Sequence, residues 1–586
     1  MCRMTRNIPT ELGLTADWVV YKVKYGNELL GSFAREETFR VAAFPYVGDT
    51  RLVEILTYYR QGLRYHRPLV AADPMNLPLI DWNSLARDLA HCQNTHSETC
   101  NATQPAFRHP IRLINCESQK IEPAAADARY VALSYVWGLS KPVYEVHGDD
   151  AVLPNPVEST IEDAMFVAKT IGYKYIWVDR FCINQKDPNK FLQLRQMDLI
   201  YRNADVTIIA AAGEDHNYGL PHVRDKRAEP PAVCKVGKYV IAEVANENRQ
   251  ENLVVESKWN TRGWTYQEAI FSRRRLVFTD QGASFHCNTT ELSRESDGRT
   301  VRYRRFLREK MAPPRPVFSG PGRAPQDLGA RMTEYSKRDL TNGSDMLNAF
   351  LGVLGAFEES QGPIYHLWGT PIFPLRGGSS GSSSIASDGF LYAFVWQMFE
   401  PASRRDGFPS WSWMGWHGRV KDLPYDSSIL DWKGESGVAV SMELSNGQLQ
   451  EWPRLVEQDY FKDDSDKLSR FIHMYAWTVK VTLESLPSGG WRAGFPDSRG
   501  ELVTEAFVLD DEMLQRDGYT QEERNQSFIC IFLGPPTSSF AALLVHQHEA
   551  FAERIGIMRR PRFLSRHEDG LDWITPKLQR RSIRLG

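Results

Sequence analysis

In "YKYIWVDRFCINQ" an apolar run stops at Asp179, and Arg180, Cys182, Asn184 and Gln185 follow at once. An acid, a base, a thiol and two amides gathered there could do real chemistry. A carboxylate accepts ligand hydroxyls, a guanidinium pairs with phosphate, and side-chain amides bond to either. In an open parallel sheet, ligands bind outside the carboxyl ends of the strands. Two other strand ends carry polar groups of the same kind: Ser134, Trp137 and Gly138 in "LSYVWG", and Gly213, Glu214 and Asp215 in "AAAGED". The plainer alternative is that Asp179 caps a turn while Asn184 and Gln185 satisfy loop backbone groups.

A fourth segment, "WNTRGWTYQEAIFSRRRLVF", places Trp264 and Glu268 four residues apart, on one face of an expected helix. An acid beside a large aromatic ring is partly desolvated, which suits it to proton transfer or to holding a cationic group. The alternative is a structural ion pair with Arg262, Arg273, Arg274 or Arg275.

Cysteine supplies one more pattern. The eight cysteines are scattered, and without a secretory signal they read as reduced thiols. In "HCQNTHSETC", steps of four put Cys92, His96 and Cys100 on one helical face. Three soft ligands could hold zinc, with Cys116 as a fourth. There is no paired Cys-x-x-Cys knuckle, so the expectation is no metal, the cysteines serving as small apolar fillers.

The elements that must position these residues begin with an arm, residues 1–110. In it "RLVEILTYYRQGLRY" reads as an amphipathic helix and "IDWNSLARDLAHC" as a better one, with Trp82, Leu85 and Leu89 on one side. Over 111–290 strands and helices alternate. "RYVALSYVW", "YKYIWVD" and "DVTIIAAAG" are strands by propensity. Between them lie the helices "STIEDAMFVAKTIG", with a Ser159/Glu162 capping box and Gly172 as terminator, and "KFLQLRQMDLIYRNA", with Leu194, Met197 and Tyr201 on one stripe. Continuously apolar strands imply a parallel sheet covered on both faces, hence an α/β fold with parallel strands at 130–136, 174–178 and 205–212.

Residues 291–586 change texture. "APPRPVFSGPGRAPQ" reads as a linker, "SDMLNAFLGVLGAFEE" as a helix and "RGGSSGSSS" as a flexible loop. Strands at "SGVAVSMEL", "TVKVTLESL", "EAFVLDD", "FICIFLG" and "FAALLVHQ" give a β-rich α+β end, and "PSWSWMGW" reads as a half-buried strand. A net charge of −3 offers no basic field for nucleic acid. No run approaches the ~20 apolar residues of a membrane span. The expectation is a soluble cytoplasmic protein with no bound cofactor. No Gly-rich phosphate loop of dinucleotide or Walker type occurs.

"RYVALSYVWG", "YIWVDRFCINQKD", "IYRNADVTIIAAAG" and "RGWTYQEAIFSRR", in that order, closely resemble the fungal heterokaryon-incompatibility (HET) domain over residues 111–290. The resemblance implies a filamentous fungus and a role in non-self recognition, in which incompatible fusion triggers programmed cell death. Where the family usually carries a Glu after its "CINQ.D" motif, this chain has "PNKF". The HET domain in turn resembles the TIR domain, a flavodoxin-like parallel sheet with flanking helices. Trp264 and Glu268 match the TIR spacing of a Trp followed by the Glu that cleaves NAD.

Two readings follow. In the first, Glu268 stabilises the charge that develops as nicotinamide leaves NAD, the substrate. Ser134, Trp137, Gly138, Asp179, Arg180, Asn184, Gln185 and Trp264 then hold the ligand. In the second, the domain is a non-catalytic signalling module that self-associates or binds an allelic protein partner.

Overall fold

In the computed structural model, residues 139–150, 225–232, 305–319, 375–386, 422–435, 462–466, 495–506, 509–527, 536–540 and 560–577, with some shorter stretches, lie outside the described residues. Before residue 80 only backbone strands are described. The chain divides into two compact units, Met1–Thr261 with Phe271–Phe318, and Arg262–Ile270 with Ser319–Gly586.

The first unit is built on a mixed sheet. Its strands are β1 (Arg112–Asn115), β2 (Ile121–Pro123), β3 (Tyr130–Ser134), β4 (Tyr175–Trp177), β5 (Val206–Ala210), β6 (Arg274–Thr279), β7 (Gly282–Cys287), β8 (Thr290–Arg294) and β9 (Thr300–Arg304). Their order in space is β9-β8-β7-β6-β5-β3-β4-β1-β2. The four central strands are parallel: β4 beside β3, β3 beside β5, β5 beside β6. The expected β-α-β-α-β unit is therefore present, and its parallel strands run second-first-third-fourth across the sheet. β3 and β5 are buried at every residue, as strands covered on both faces must be. Antiparallel strands flank this core on both sides.

Helix α1 (Trp82–Thr95) and helix α2 (Ser159–Thr170) lie where the periodicity placed them. Gly172, at φ 90°, ends α2 as its type predicts. The expected capping box does not form. Glu158 is the N-cap, without a side-chain cap bond, and Glu162 instead reaches Arg224 at 2.9 Å. The helix expected over 190–204 is broken into Lys190–Leu194 and α4 (Met197–Asn203), with the short α3 (Asp179–Cys182) preceding both. The physical reason lies at Gln196. It is fully buried, and its side chain bonds the backbone N–H groups of Arg108 and His109 and the His109 carbonyl.

The helix expected at "RLVEILTYYRQGLRY" is instead two paired strands, Leu52–Tyr59 and Gly62–Tyr65. Val53, Ile55, Thr57, Tyr58 and Tyr59 are strand formers, and that preference outweighed the helical period.

In the second unit, α6 (Gly263–Phe271, following α5, Lys258–Thr261, in the chain) leads to α7 (Pro325–Ser336) and α8 (Leu351–Glu358). The β-rich end is confirmed. Strands β10 (Leu468–Lys480), β11 (Phe528–Phe532), β12 (Ala541–Gln547), β13 (Ala552–Arg559) and β14 (Gln579–Leu585) pair in succession, and β14 returns to β10, closing a barrel. "PSWSWMGW" is not a strand: it is a 3₁₀ turn, Trp413–Gly415, between extended residues. Trp411, Trp413 and Trp416 are nevertheless all buried, as expected of core. "RGGSSGSSS" lies outside the described residues. No helix among the described residues is long and apolar enough to cross a membrane.

Candidate functional site

The crowded turn sits at the carboxyl end of β4, and the groups gathered there bond mainly to one another. The Trp137 indole N–H, just past β3, donates to both Asp179 carboxylate oxygens, at 3.1 and 2.9 Å. Asp179 also accepts from the Arg180 backbone N–H at 2.7 Å; it is the first residue of α3, whose N-cap is Val178, so the expected capping role is not met. Arg180, 7% exposed, pairs with Glu158 at 3.2 Å and lies 5.8 Å from the centre of the Trp137 ring. Gln185 donates to the carbonyls of Asp179 and Ile183 at 3.3 and 3.2 Å, and Asn184 accepts from the Lys186 N–H at 3.0 Å.

The other two strand ends join this seam. Past β5, His216 hydrogen-bonds the Trp137 carbonyl through Nδ1. Gly138, at φ 76°, lies so close to this loop that an added Cβ would sit 2.6 Å from Asp215 Cβ. Ser134 is fully buried beneath, accepting from the Trp259 indole N–H on α5 at 2.7 Å. The crevice between β3 and β5 is where an open sheet with this strand order places its ligand. Here Gly138, Asp215 and His216 approach one another across it.

The first turn of α2 is the hub. Glu158 holds Arg180, and the Thr160 N–H donates to the His216 carbonyl at 3.0 Å. Thr160 Oγ1 accepts from the Gly219 N–H at 3.1 Å. Asp163, fully buried, accepts from the Leu220 N–H at 2.9 Å and pairs with Arg224 at 2.6 Å. Sequence reasoning missed Glu158, Asp163, His216 and Trp259. The only signal was the acidic composition of the α2 start, and the partners are far away in the chain.

Asn184 faces outward into a cavity of about 230 Å³ with Arg112, Asp187 and Lys190. That is smaller than the ~300 Å³ at which small-molecule sites usually begin.

The family described as "Heterokaryon incompatibility protein (HET)" matches residues 130–268, from the first parallel strand through α6. This segment is a HET domain. Heterokaryon incompatibility protein 6, OR allele, of Neurospora crassa is 26% identical over 143 residues. That match covers 22% of this chain and 20% of the relative, so the chain spans about a fifth of the curated protein it matches. No solved structure matches significantly.

The last helix of the HET match, α6, carries Trp264 and Glu268, and residues 262–270 group with the second unit. Trp264 is half-buried and Glu268 is 4% exposed. Neighbouring residues help to anchor the helix. Tyr266 donates its hydroxyl to Glu334 at 2.6 Å and stacks on Phe350 at 6.4 Å. Arg338 donates to the Arg262 carbonyl and to Thr265, at 3.1 and 3.3 Å, and lies over the Tyr266 ring. Burial pushes the Arg338 guanidinium down to about 10, while Tyr266, Glu334, Tyr335 and Glu268 work the other way. Arg338 is thus a cation in the field of Glu268 that the sequence gave no reason to name.

Three of the arginines named beside Glu268 also bond within the first unit. Arg273 donates to the Cys100, Asn203 and Ala204 carbonyls and lies 3.5 Å from Asp205. Arg275 donates to Asn288 at 2.6 Å. Arg274 donates to Cys92 Sγ at 3.2 Å and to the Asp205 and Cys100 carbonyls.

The cysteine pattern is brought together as well. Ligand atoms of Cys92, His96, Cys100 and Cys287 lie within 4.8 Å of one another. Cys287, at the end of β7, takes the place expected of Cys116. Cys116 instead belongs to the edge of β1, where its N–H bonds the Lys174 carbonyl.

Proposed function

We propose that this chain acts in heterokaryon incompatibility in a filamentous fungus. In this reading it is a cytoplasmic protein whose HET domain signals non-self recognition, through self-association or an allelic partner, and leads to programmed cell death. The observation that carries the signalling reading is the seam at the carboxyl edge. Trp137, Asp179, Arg180, Gln185 and His216 are engaged within the domain, so three strand ends and the start of α2 are positioned to move as one piece. Such a coupled edge suits a surface that passes a conformational signal. The test is expression of the full chain in a fungal host, reading viability and cellular NAD. The expected outcome is death without NAD loss, weakened by Asp179→Ala and unaffected by Glu268→Gln.

The second reading is TIR-like NAD cleavage by Glu268. Two observations favour it. The parallel strands run second-first-third-fourth, the order of flavodoxin-like sheets, and Glu268 is buried one helical turn after Trp264. In this reading NAD is lost on expression, and Glu268→Gln lowers the rate by ~10²–10³ while leaving the melting temperature unchanged. If that variant stays toxic, or simply unfolds, the catalytic role fails.

A further inference from the structure

We propose that Cys92, His96, Cys100 and Cys287 form a structural zinc site within the first unit. α1 ends at Thr95, yet its turn continues: the His96 N–H bonds the Cys92 carbonyl at 3.2 Å and the Cys100 N–H bonds the His96 carbonyl at 3.1 Å. These steps of four present three ligands from one short stretch. The fourth arrives from the end of β7, nearly two hundred residues later in the chain. Cys92, Cys100 and Cys287 are buried, at 1%, 0% and 5% exposure, and His96 is half-buried.

The distances suit a tetrahedron. With Zn–S near 2.3 Å and Zn–N near 2.0–2.1 Å, an S···N edge is about 3.5 Å and an S···S edge about 3.8 Å. Cys287 Sγ lies 3.5 Å from His96 Nδ1, and all four ligand atoms fall within 4.8 Å of one another. Four protein ligands close the coordination shell, which marks a structural site rather than a catalytic one.

A second observation points to negative charge on the sulfurs. Arg274 is 1% exposed, and among the described residues no carboxylate lies within ion-pair distance of it. Its guanidinium donates to Cys92 Sγ at 3.2 Å, and its residue sits directly across from Cys287 in the β6–β7 pairing. A buried guanidinium without a counter-charge is costly. Three thiolates and one Zn²⁺ leave a net charge of −1, which Arg274 offsets. Thr99 donates its hydroxyl to Cys100 Sγ at 3.7 Å, a further outer-shell contact. On binding, each thiol releases its proton to solvent, the neutral imidazole donates a lone pair, and no oxidant or reductant is needed.

The site ties the end of α1 to the strand that follows β6. A short helix at the margin of a sheet gains a fixed position from such a staple. The experiment uses the full chain, purified without chelator, with metal content measured by mass spectrometry and thiols counted under denaturing conditions. About one zinc per chain is expected. Cys287→Ser should lower that content by roughly tenfold or more, and Cys116→Ser should leave it unchanged. Arg274→Met should weaken zinc affinity by about 10–100-fold without removing a ligand. Because the cysteine variant could fail to fold, Co²⁺ substitution of the unaltered chain gives an independent readout, the intense visible spectrum of tetrahedral cobalt with thiolate charge transfer. A chain without metal, a chain carrying iron, a disulfide among these cysteines, or octahedral cobalt would each overturn the proposal.

Discussion

At the carboxyl edge of the HET sheet, indole N–H groups go to side chains: Trp137 to the Asp179 carboxylate, Trp259 to the Ser134 hydroxyl. In the second unit they go to the backbone. Trp396 donates to the Trp411 carbonyl, Trp411 to Arg470, Trp413 to Gly369 and Trp416 to Ser410. Both regions satisfy the polar tips of large rings: Trp137 is half-buried, and Trp259 and the four of the second unit are buried. The difference lies in what each arrangement requires of the sequence. A side-chain acceptor depends on one residue type at one position. A carbonyl acceptor depends only on the path of the chain. The first region is therefore a seam of specific pairs, and the second is a packed core whose strength lies in buried area.

The comparison breaks first at Trp413. Its ring is fully buried and meets Phe350 and Tyr335 edge-on, at 5.6 and 6.2 Å. Trp413→Ala leaves a cavity and an unsatisfied Gly369 carbonyl. The expected loss is about 3–5 kcal/mol in denaturant unfolding of the full chain. A loss under about 1 kcal/mol would show that this cluster is not a core in the sense argued here.

The parallel strands were legible because Val131, Ala132, Leu133, Ile208 and Ile209 are apolar without a break, and only strands covered on both faces read that way. The location of the candidate groups was legible too, since Trp137, Asp179 and Gly213 follow such strands directly. Their partners were not. Glu158 and His216 reach the seam through tertiary contacts that no spacing encodes, and Gln196 broke a helix by bonding to residues 108 and 109. "PSWSWMGW" misled for the same reason. Alternating tryptophans suit a strand, but carbonyls from two distant segments and from Ser410 within the stretch receive the indoles of a turn. Cys92, His96 and Cys100 announced themselves by spacing, whereas Cys287 is joined to them only by the pairing of β6 with β7.

The second break is at the seam. Trp137→Phe keeps most of the ring and removes the donor, while Asp179→Asn keeps the shape and removes the charge. Each is expected to cost about 1.5–3 kcal/mol, the range for hydrogen bonds to charged groups. The double variant should fall short of the sum, because both changes remove one interaction. Strict additivity in a double-mutant cycle would mean that Trp137 and Asp179 are neighbours without being partners, and the contrast with the second unit would dissolve.

The smallest effect comes from acid and sharpens the comparison. The tryptophans of the second unit bond uncharged carbonyls, so protons should leave them untouched. One titratable group beside them is His366, on the hairpin whose turn, Trp368–Gly369, accepts from Ser412 and Trp413. The Gly369 N–H donates to His366 Nδ1 at 3.4 Å, which needs a neutral ring. Burial pushes this imidazole down to about 4, and Glu358, 3.7 Å from its Nε2, is a carboxylate that would favour the charged form. A folded value below the unfolded one means that the unfolded chain binds more protons. Stability is then full above about pH 6.5 and is lost as pH falls toward 4. At ~1.4 kcal/mol per unit the ceiling is about 3 kcal/mol, and with Glu358 opposing, about 1–2 kcal/mol is expected. Unfolding of the full chain followed between pH 7 and pH 4 reads this directly. His366→Asn keeps an acceptor for Gly369 and removes the titration, so its profile should be flatter. Glu358→Gln removes the opposing charge, so its loss should be steeper. If His366→Asn shows the same acid slope as the unaltered chain, the proton acts elsewhere, and the tryptophan core is not as indifferent to charge as its carbonyl acceptors imply.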